Sequence, residues 1–333
     1  MKTAAVLSFS DRGGETARRI ARALEGEYEI TLAEPRGNMR AVTGELFASR
    51  DALIFVGACG IAVRAVAPCV VSKTTDPAVL VVDELGRHVI SLLSGHIGGA
   101  NALCWKLAAA LDGEAVITTA TDVNHRFSVD AWAASHGMSI SSMPLAKRFS
   151  AQILKRDLPL WSEFPIDGAL PGGIYLSREG ELGAAVTCHT GEVFASTLRL
   201  IPRVLTVGIG CRRNTPEETI AAAVEEAFSA NGLSPDAVSR FASIDVKSDE
   251  AGLLAYAKER GREILFFSAE QLREVPGAFS ASAFVAGTVG VDNVCERSAV
   301  LAAGDGAELI VKKIGKNGVT VAVAREKRRI SFE

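Results

Sequence analysis

The densest run of groups able to do chemistry is Leu92-Leu93-Ser94-Gly95-His96-Ile97-Gly98-Gly99-Ala100-Asn101, set between an apolar stretch and a helical pattern. Gly95, Gly98 and Gly99 let backbone amides approach a ligand closely, and the helix start behind them favours a carboxylate or other anion. His96 carries a ring that titrates near neutrality and can serve as a general base. The same residues also fit a tight turn whose histidine caps backbone. A serine nucleophile fits less well, because Ser94 lies two positions from His96 and the Gly-x-Ser-x-Gly elbow is missing. Hydroxyls and carboxylates that could orient a water or a base stand in Lys73-Thr74-Thr75-Asp76-Pro77, Asp83-Glu84 and Thr118-Thr119-Ala120-Thr121-Asp122. Asp76-Pro77 is equally ordinary turn chemistry.

A second glycine loop, Val207-Gly208-Ile209-Gly210-Cys211-Arg212-Arg213, runs towards another helix start. Glycine amides beside two arginines suit carboxylates or phosphates. Asn214 stands where a dinucleotide fingerprint needs its third glycine, so a nicotinamide or flavin site is poorly supported. Ser243 to Glu250 and Gly287 to Glu296 are further polar loops, in which Lys247 reads as a surface lysine or a ligand contact. Cys59, Cys104 and Cys188 lie in apolar surroundings and read as small core residues. Cys211 and Cys295 lie in the glycine loops without a neighbouring base, so neither is assigned as a nucleophile.

These loops must be carried by regular elements. Thr3 to Phe9, Ala52 to Val56, Ala78 to Val82, Val89 to Leu92 and Ala115 to Thr118 read as strands, alternating with helices over Glu15 to Leu24, Met39 to Ser49 and Ala100 to Leu111. Buried strands alternating with helices imply a parallel or mostly parallel sheet, whose ligands bind outside the carboxyl ends of the strands. Ala52 to Val71 is long enough to span a bilayer, but Gly57, Gly60, Arg64 and Pro68 divide it into strand, turn and helix. From about Ser128, helices over Val129 to Ser135 and Leu145 to Arg156 precede short strands. A new α/β pattern starts after Pro202, where Thr215, Pro216 and Glu218 predict a capping box and Asn317-Gly318 predicts a hairpin. The expected architecture is α/β: an N-terminal mostly parallel α/β domain (1–127), a small α+β middle module with linker (128–202) and a C-terminal α/β domain (203–333).

Composition narrows the function. With 36 basic against 39 acidic residues, no global field recruits nucleic acid or anionic lipid. Hydrophobic residues at 48% and charged ones at 23% exclude a disordered chain. The six cysteines are dispersed without a CxxC pair, indicating neither a disulfide framework nor a structural zinc site. With no export signal legible at the N-terminus, a reduced, cytoplasmic protein that binds a small anionic molecule is expected.

The run from VGACGIAVRAVAP through LLSGHIGGANALCWKLAAAL and VITTATD, followed by VGIGCRRNTPEETI, IDVKSDEAGLLAYAKE and GTVGVDNVCERSAVLAAG, resembles the CbiG family. The likeness spans about Leu53 to Asp122 and Arg203 to Ala324. Proteins of that family are cobalt-precorrin-5A hydrolases of the anaerobic route to cobalamin. The resemblance implies hydrolysis of a δ-lactone on the ring A acetate, then loss of the extruded meso carbon as acetaldehyde to give cobalt-precorrin-5B. It also implies no organic cofactor and no protein-bound metal, the cobalt belonging to the substrate.

On these positions His96 would activate water or deprotonate the released hydroxyl, and Asp122 or Asp76 would orient it or supply a proton. Gly98 and Gly99 amides would hold the oxyanion, with Ser94, Gly95, Asn101 and Thr119 lining the same site. Arg64, Lys73, Gly208, Gly210, Arg212, Arg213, Lys247 and Glu296 would contact the rest of the substrate. The alternative is a non-catalytic protein that binds or hands over a cobalt tetrapyrrole. No nucleic acid or membrane partner is expected; a homodimer and transient contact with pathway methyltransferases stay open.

Overall fold

The computed structural model describes residues 1–35, 37–72, 75–281 and 290–332. The chain forms two compact units: Met1–Ser135 with Ile153–Arg156 and Pro171–Gly173, and a second comprising His136–Gln152, Asp157–Leu170 and Ile174–Glu333.

In the first unit β1 (Lys2–Ser8), β2 (Tyr28–Ala33), β3 (Ala52–Val56), β4 (Ala78–Val82), β5 (His88–Leu93) and β6 (Glu114–Val116) form one sheet in the order β2-β1-β3-β4-β5-β6. Its strands read as continuous apolar runs because both faces are covered. Ala4, Val6, Ile54, Leu80 and Val82 meet α1 (Asp11–Ala23) and α4 (Ala100–Leu111) through Ile20, Leu24, Leu103 and Leu107. The alternate residues Ala5, Leu7, Leu53, Phe55, Val79 and Val81 face Phe47 of α2 (Met39–Ser49) and Ala62 and Val66 of α3 (Cys59–Val66). The bilayer-length stretch is thus β3 and α3, and no helix among the described residues is long and apolar enough to cross a membrane.

The sheet changes direction where the sequence offers only a short connection. Strands β1 to β4 are parallel, but β5 runs antiparallel to β4. Residues 83–87 are too few for a crossover, and Asp83 closes a turn by accepting from the Leu85 and His88 amides. From there β5, α4 and β6 form a parallel crossover of their own. The carboxyl ends of β5 and β6 therefore lie at the sheet edge where β4 begins, with Leu93 paired to Val79. Short helices α5 (Ala120–Val123) and α6 (Val129–Ser135) follow β6.

The second unit holds two larger sheets. After β7 (Ser139–Ile140) and α7 (Met143–Ile153), strands β8 (Leu158–Ser162), β10 (Ile174–Leu176), β11 (Leu182–Val186) and β12 (Ser196–Ile201) pair in parallel in the order β10-β8-β11-β12. Strand β7 adds antiparallel to β12, and β9 (Ile166–Asp167) lies outside this sheet. The next sheet has the order β15-β14-β13-β17-β16, formed by β13 (Leu205–Cys211), β14 (Val238–Ile244), β15 (Ile264–Phe267) and the hairpin β16 (Glu308–Lys316) to β17 (Val319–Arg325). The hairpin turns at Asn317-Gly318, both at positive φ, as its twist requires. Helices α8 (Glu217–Ala230), α9 (Ala251–Glu259), α10 (Ala269–Glu274) and α11 (Cys295–Ala303) belong to this part, and β18 (Ile330–Ser331) pairs with β9.

The start of α8 departs from expectation. Pro216, not Thr215, is the N-cap, and no side chain caps the helix. The Thr215 hydroxyl instead donates to Arg212 O at 2.8 Å, which ties the second glycine loop to the helix it precedes.

Candidate active site

Two loops leave the carboxyl ends of the neighbouring parallel strands β5 and β6, the position at which α/β sheets present ligand groups. The first is a tight turn with Ser94 and Gly99 at positive φ. Its backbone is closed by Gly99 N donating to His96 O, Ala100 N to Ser94 O and Asn101 N to Gly95 O. A Cβ on Gly98 would lie 2.4 Å from Ser94 Cβ, and one on Gly95 would lie 2.6 Å from Asn101 Oδ1, so the turn closes only with glycine there.

Buried Asn101 on the first turn of α4 joins the loops. It accepts from Ser91 Oγ at 2.7 Å and donates to Thr119 Oγ1 at 2.9 Å and to Asp122 Oδ2 at 3.2 Å. Thr119 donates to the same Asp122 oxygen. Positioned in this way, Asp122 Oδ2 lies 3.0 Å from His96 Nε2, with the Thr121 hydroxyl at 3.2 Å and the Ser128 hydroxyl at 3.4 Å from that nitrogen. The other ring nitrogen, Nδ1, lies 3.3 Å from Oδ1 of Asp130, a buried carboxylate in the first turn of α6.

The imidazole thus sits between two carboxylates. The hydrogen bond that the ring donates to Asp130 raises its pKa against the opposing effect of burial, and Asp122 adds to the rise. For Asp122, burial alone would raise the carboxyl, but Thr119, His96 and Asn101 outweigh it and hold it below its ordinary value. A ring with a carboxylate on each nitrogen favours the imidazolium, so this arrangement can donate a proton and recover it from the same atom.

Several expected residues lie elsewhere or are already engaged. Both oxygens of buried Asp76 accept from the Val71 and Ser72 amides at 3.1–3.2 Å, so this carboxylate holds its own loop. Of Asp76 and Asp122, the two carboxylates expected to orient His96 or supply a proton, only Asp122 lies within hydrogen-bond distance of the ring among the described residues, and Asp130 joins it on the other nitrogen. The Gly99 amide, expected to hold an oxyanion, is used by His96 O, whereas the Gly98 amide makes no hydrogen bond among the described residues. Ser94 is buried, and its hydroxyl has no partner among the described residues. Exposed Arg64 folds back onto Gly60 O of its own helix. Lys73 lies outside the described residues, as do Gly287, Thr288 and Val289.

In the second unit, Gly210, Arg212, Arg213 and Lys247 line a cavity of about 790 Å³. Lys313 and Lys316 of β16 add cations, while Ile244, Val246, Val294 and Val319 supply apolar wall. Arg213 pairs with Asp249 and donates to Val246 O, and buried Lys247 lies 3.1 Å from Glu250. Arg212 is exposed and has no ion pair among the described residues. Cys211 and Cys295 line the same cavity, but burial pushes both thiols up, Cys295 to about 11.

Two residues expected to contact ligand in this unit are structural. A Cβ on Gly208 would lie 1.8 Å from Cys295 O, because α11 packs its backbone directly on β13. Glu296, also buried, accepts from Ser280 N and Oγ, Asn293 Nδ2 and Lys313 N at 2.7–2.9 Å. Asp130 and Ser128 were missed in the sequence because they sit at or beside a helix start with no distinguishing spacing, whereas Thr121 stood in the run of hydroxyls already singled out. Lys313 and Lys316 were missed because a strand lysine gives no sign of which cavity it borders.

Comparison with known proteins accords with this layout. The family model described as Cobalamin synthesis G N-terminal matches residues 41–122, and Cobalamin synthesis G C-terminus matches 205–324. The cobalt-precorrin-5A hydrolase of Salmonella typhimurium is 37% identical over 302 residues, covering 86% of this chain and 85% of that protein. The cobalt-precorrin-5A hydrolase of Priestia megaterium is 31% identical, covering 96% of this chain and 94% of its own. Protein CobE of Sinorhizobium is 34% identical over 36% of this chain and 79% of its own length. With both models matched in order and such identity extending over most of its length, the chain belongs to the CbiG family of cobalamin synthesis proteins.

Proposed function

We propose that the chain hydrolyses the ring A acetate δ-lactone of cobalt-precorrin-5A and releases the extruded meso carbon with its methyl as acetaldehyde, giving cobalt-precorrin-5B. The observation that carries this reading is His96 held between Asp122 and Asp130 at the ends of β5 and β6. The names of the Salmonella and Priestia relatives support the substrate.

Water adds to the lactone carbonyl and sheds one of its two protons to solvent, and the oxyanion is met by the Gly98 amide, with Ser94, Gly95, Asn101 and Thr119 shaping the pocket around it. As the acyl C–O bond breaks, His96 donates its proton to the departing oxygen, and the carboxylic acid formed gives its own proton to solvent. Neutral His96, still oriented by Asp130 and Asp122, then takes the proton back from the new hydroxyl. The C–C bond breaks, acetaldehyde leaves, and the electron pair passes into the conjugated macrocycle. The imidazolium is restored, so one ring serves as acid in the first step and base in the second. No organic cofactor is needed, and the cobalt remains part of the substrate.

In the second unit, the cations around Arg212, Arg213 and Lys247 over an apolar wall suit the peripheral carboxylates and flat body of such a macrocycle. That cavity also favours the second reading, a tetrapyrrole carrier. Anaerobic incubation with cobalt-precorrin-5A, trapping volatile aldehyde and following the tetrapyrrole mass, separates the two. Acetaldehyde with the matching mass loss supports the hydrolase, and His96→Ala then lowers turnover by about a hundredfold or more. Tight binding of unaltered substrate supports the carrier.

A further inference from the structure

A second constellation of chemical groups stands at the carboxyl ends of another pair of neighbouring parallel strands, β8 and β11. Glu163 directly follows β8, and Cys188 and His189 lie just beyond β11. The pairing of Ser162 with Val186, and the bond from Glu163 N to Val186 O, bring the two segments side by side. His189 Nδ1 lies 3.1 Å from Glu163 Oε2, Cys188 Sγ lies 3.5 Å from the same oxygen, and Sγ and Nδ1 are 3.6 Å apart. We propose that Glu163, Cys188 and His189 form a binding site for a borderline divalent ion of the zinc class, with one coordination position left for water.

The three separations carry the argument. Zinc bonds of about 2.3 Å to sulfur and about 2.0–2.2 Å to nitrogen or oxygen, at tetrahedral angles, place donor atoms roughly 3.4–3.6 Å apart. The observed triangle lies close to one face of that tetrahedron, needing only a small opening of its nitrogen–oxygen edge. Thiolate, imidazole and carboxylate are also the donor set that zinc and cobalt(II) share, while excluding the all-oxygen preference of magnesium or calcium. Arg325 pairs with Glu163 Oε1, and the Thr187 hydroxyl and Cys188 amide donate to Oε2 at 2.7 and 3.1 Å, so the carboxylate is fixed from outside the triangle with Oε2 towards the His189 ring. Cys188 is fully buried, and half-exposed His189 gives the route of entry. Binding breaks the S–H bond and forms a metal–sulfur bond, and the thiol proton leaves to solvent. This site departs from the metal-free expectation, which rested on cysteine spacing. The donors are brought together by strand pairing across 25 positions, not by a short motif.

Metal-free protein titrated with cobalt(II) alone tests the site without any catalytic assay. One equivalent per chain should produce a sulfur-to-cobalt charge-transfer band, and zinc should abolish it by displacement. Cys188→Ser should remove the band. His189→Ala, at a half-exposed position that leaves the buried packing intact, should weaken binding beyond the roughly 10–100-fold that loss of an outer partner costs. Absence of a sulfur band at saturating cobalt, or a band unchanged in folded Cys188→Ser, overturns the proposal.

Discussion

Gly208→Ala distinguishes a packing glycine from a ligand-facing one. The added Cβ would lie 1.8 Å from Cys295 O, 2.8 Å from Cys295 C and 2.9 Å from Ala299 N, all of them helix backbone that cannot rotate away. Ordinary contact begins at 3.4 Å, so α11 must retreat by about 1.6 Å, beyond the ~0.5–1 Å gap that already forfeits a quarter to a half of a contact's attraction. That movement would loosen Cys295, Ser298, Ala299 and Ala302 together, and pull Glu296 away from Ser280, Asn293 and Lys313. Overpacking typically costs ~1–3 kcal/mol, and disturbing the buried carboxylate adds to it, so a loss of at least about 3 kcal/mol is expected. Denaturant unfolding followed by circular dichroism, and by the fluorescence of Trp161 in the same unit, reads the change. Gly191→Ala, with nothing within 4 Å of its added Cβ, is the control and should stay within ~0.5 kcal/mol. Wild-type stability in Gly208→Ala, coupled with lost substrate binding, would refute the packing argument and return Gly208 to the ligand.

Variants at four further positions test the geometry of the two units. Because Asp130 raises the His96 pKa above its ordinary 6.5, the pair's contribution to stability is complete below that value and is lost as pH rises through the folded pKa; Asp130→Asn should move that loss, and the alkaline limb of activity, to lower pH, read by titrating the ring protons. Glu296→Ala strands the Ser280 and Lys313 amides and the Asn293 side chain, which should cost on the order of 3 kcal/mol in unfolding experiments, with Glu296→Gln losing less. Arg212→Ala should weaken tetrapyrrole binding by roughly tenfold or more in a titration at low salt. Arg213→Ala should weaken it less, because Arg213 is already paired with Asp249.

The strands that the sequence marks clearly are those with uninterrupted apolar character, and the helices those whose apolar residues recur at helical spacing. Ala52–Val56, Met39–Ser49, Ala100–Leu111 and Val129–Ser135 match their expected bounds because both faces of the sheet are covered and the patterns need no distant partner. The reversal at β5 was legible in principle from the five residues between β4 and β5, which no parallel crossover can span. His96 and Asp122 were found because each follows a strand. Asp130 was not, because its value comes from the turn of chain that folds α6 back against the His96 ring, a tertiary fact with no local signature. Gly208 shows the converse limit: a glycine that admits a ligand and one that admits a helix look alike until the helix is placed.

The small β9–β18 pair has a bearing on how the molecule is made. Ile330–Ser331 pairs with Ile166–Asp167, and Arg329 grips Asp167 with both guanidinium arms, contacts that bridge more than 160 positions. During synthesis the β9 segment emerges long before its partner, at about 5–20 residues per second, and must wait many seconds without its neighbouring strand. Closing so long a loop adds little to the equilibrium cost, because that cost grows only logarithmically, but it places this junction among the late events of folding. Until then β9 offers an open edge, where a nascent chain is exposed to chaperones and to mispairing.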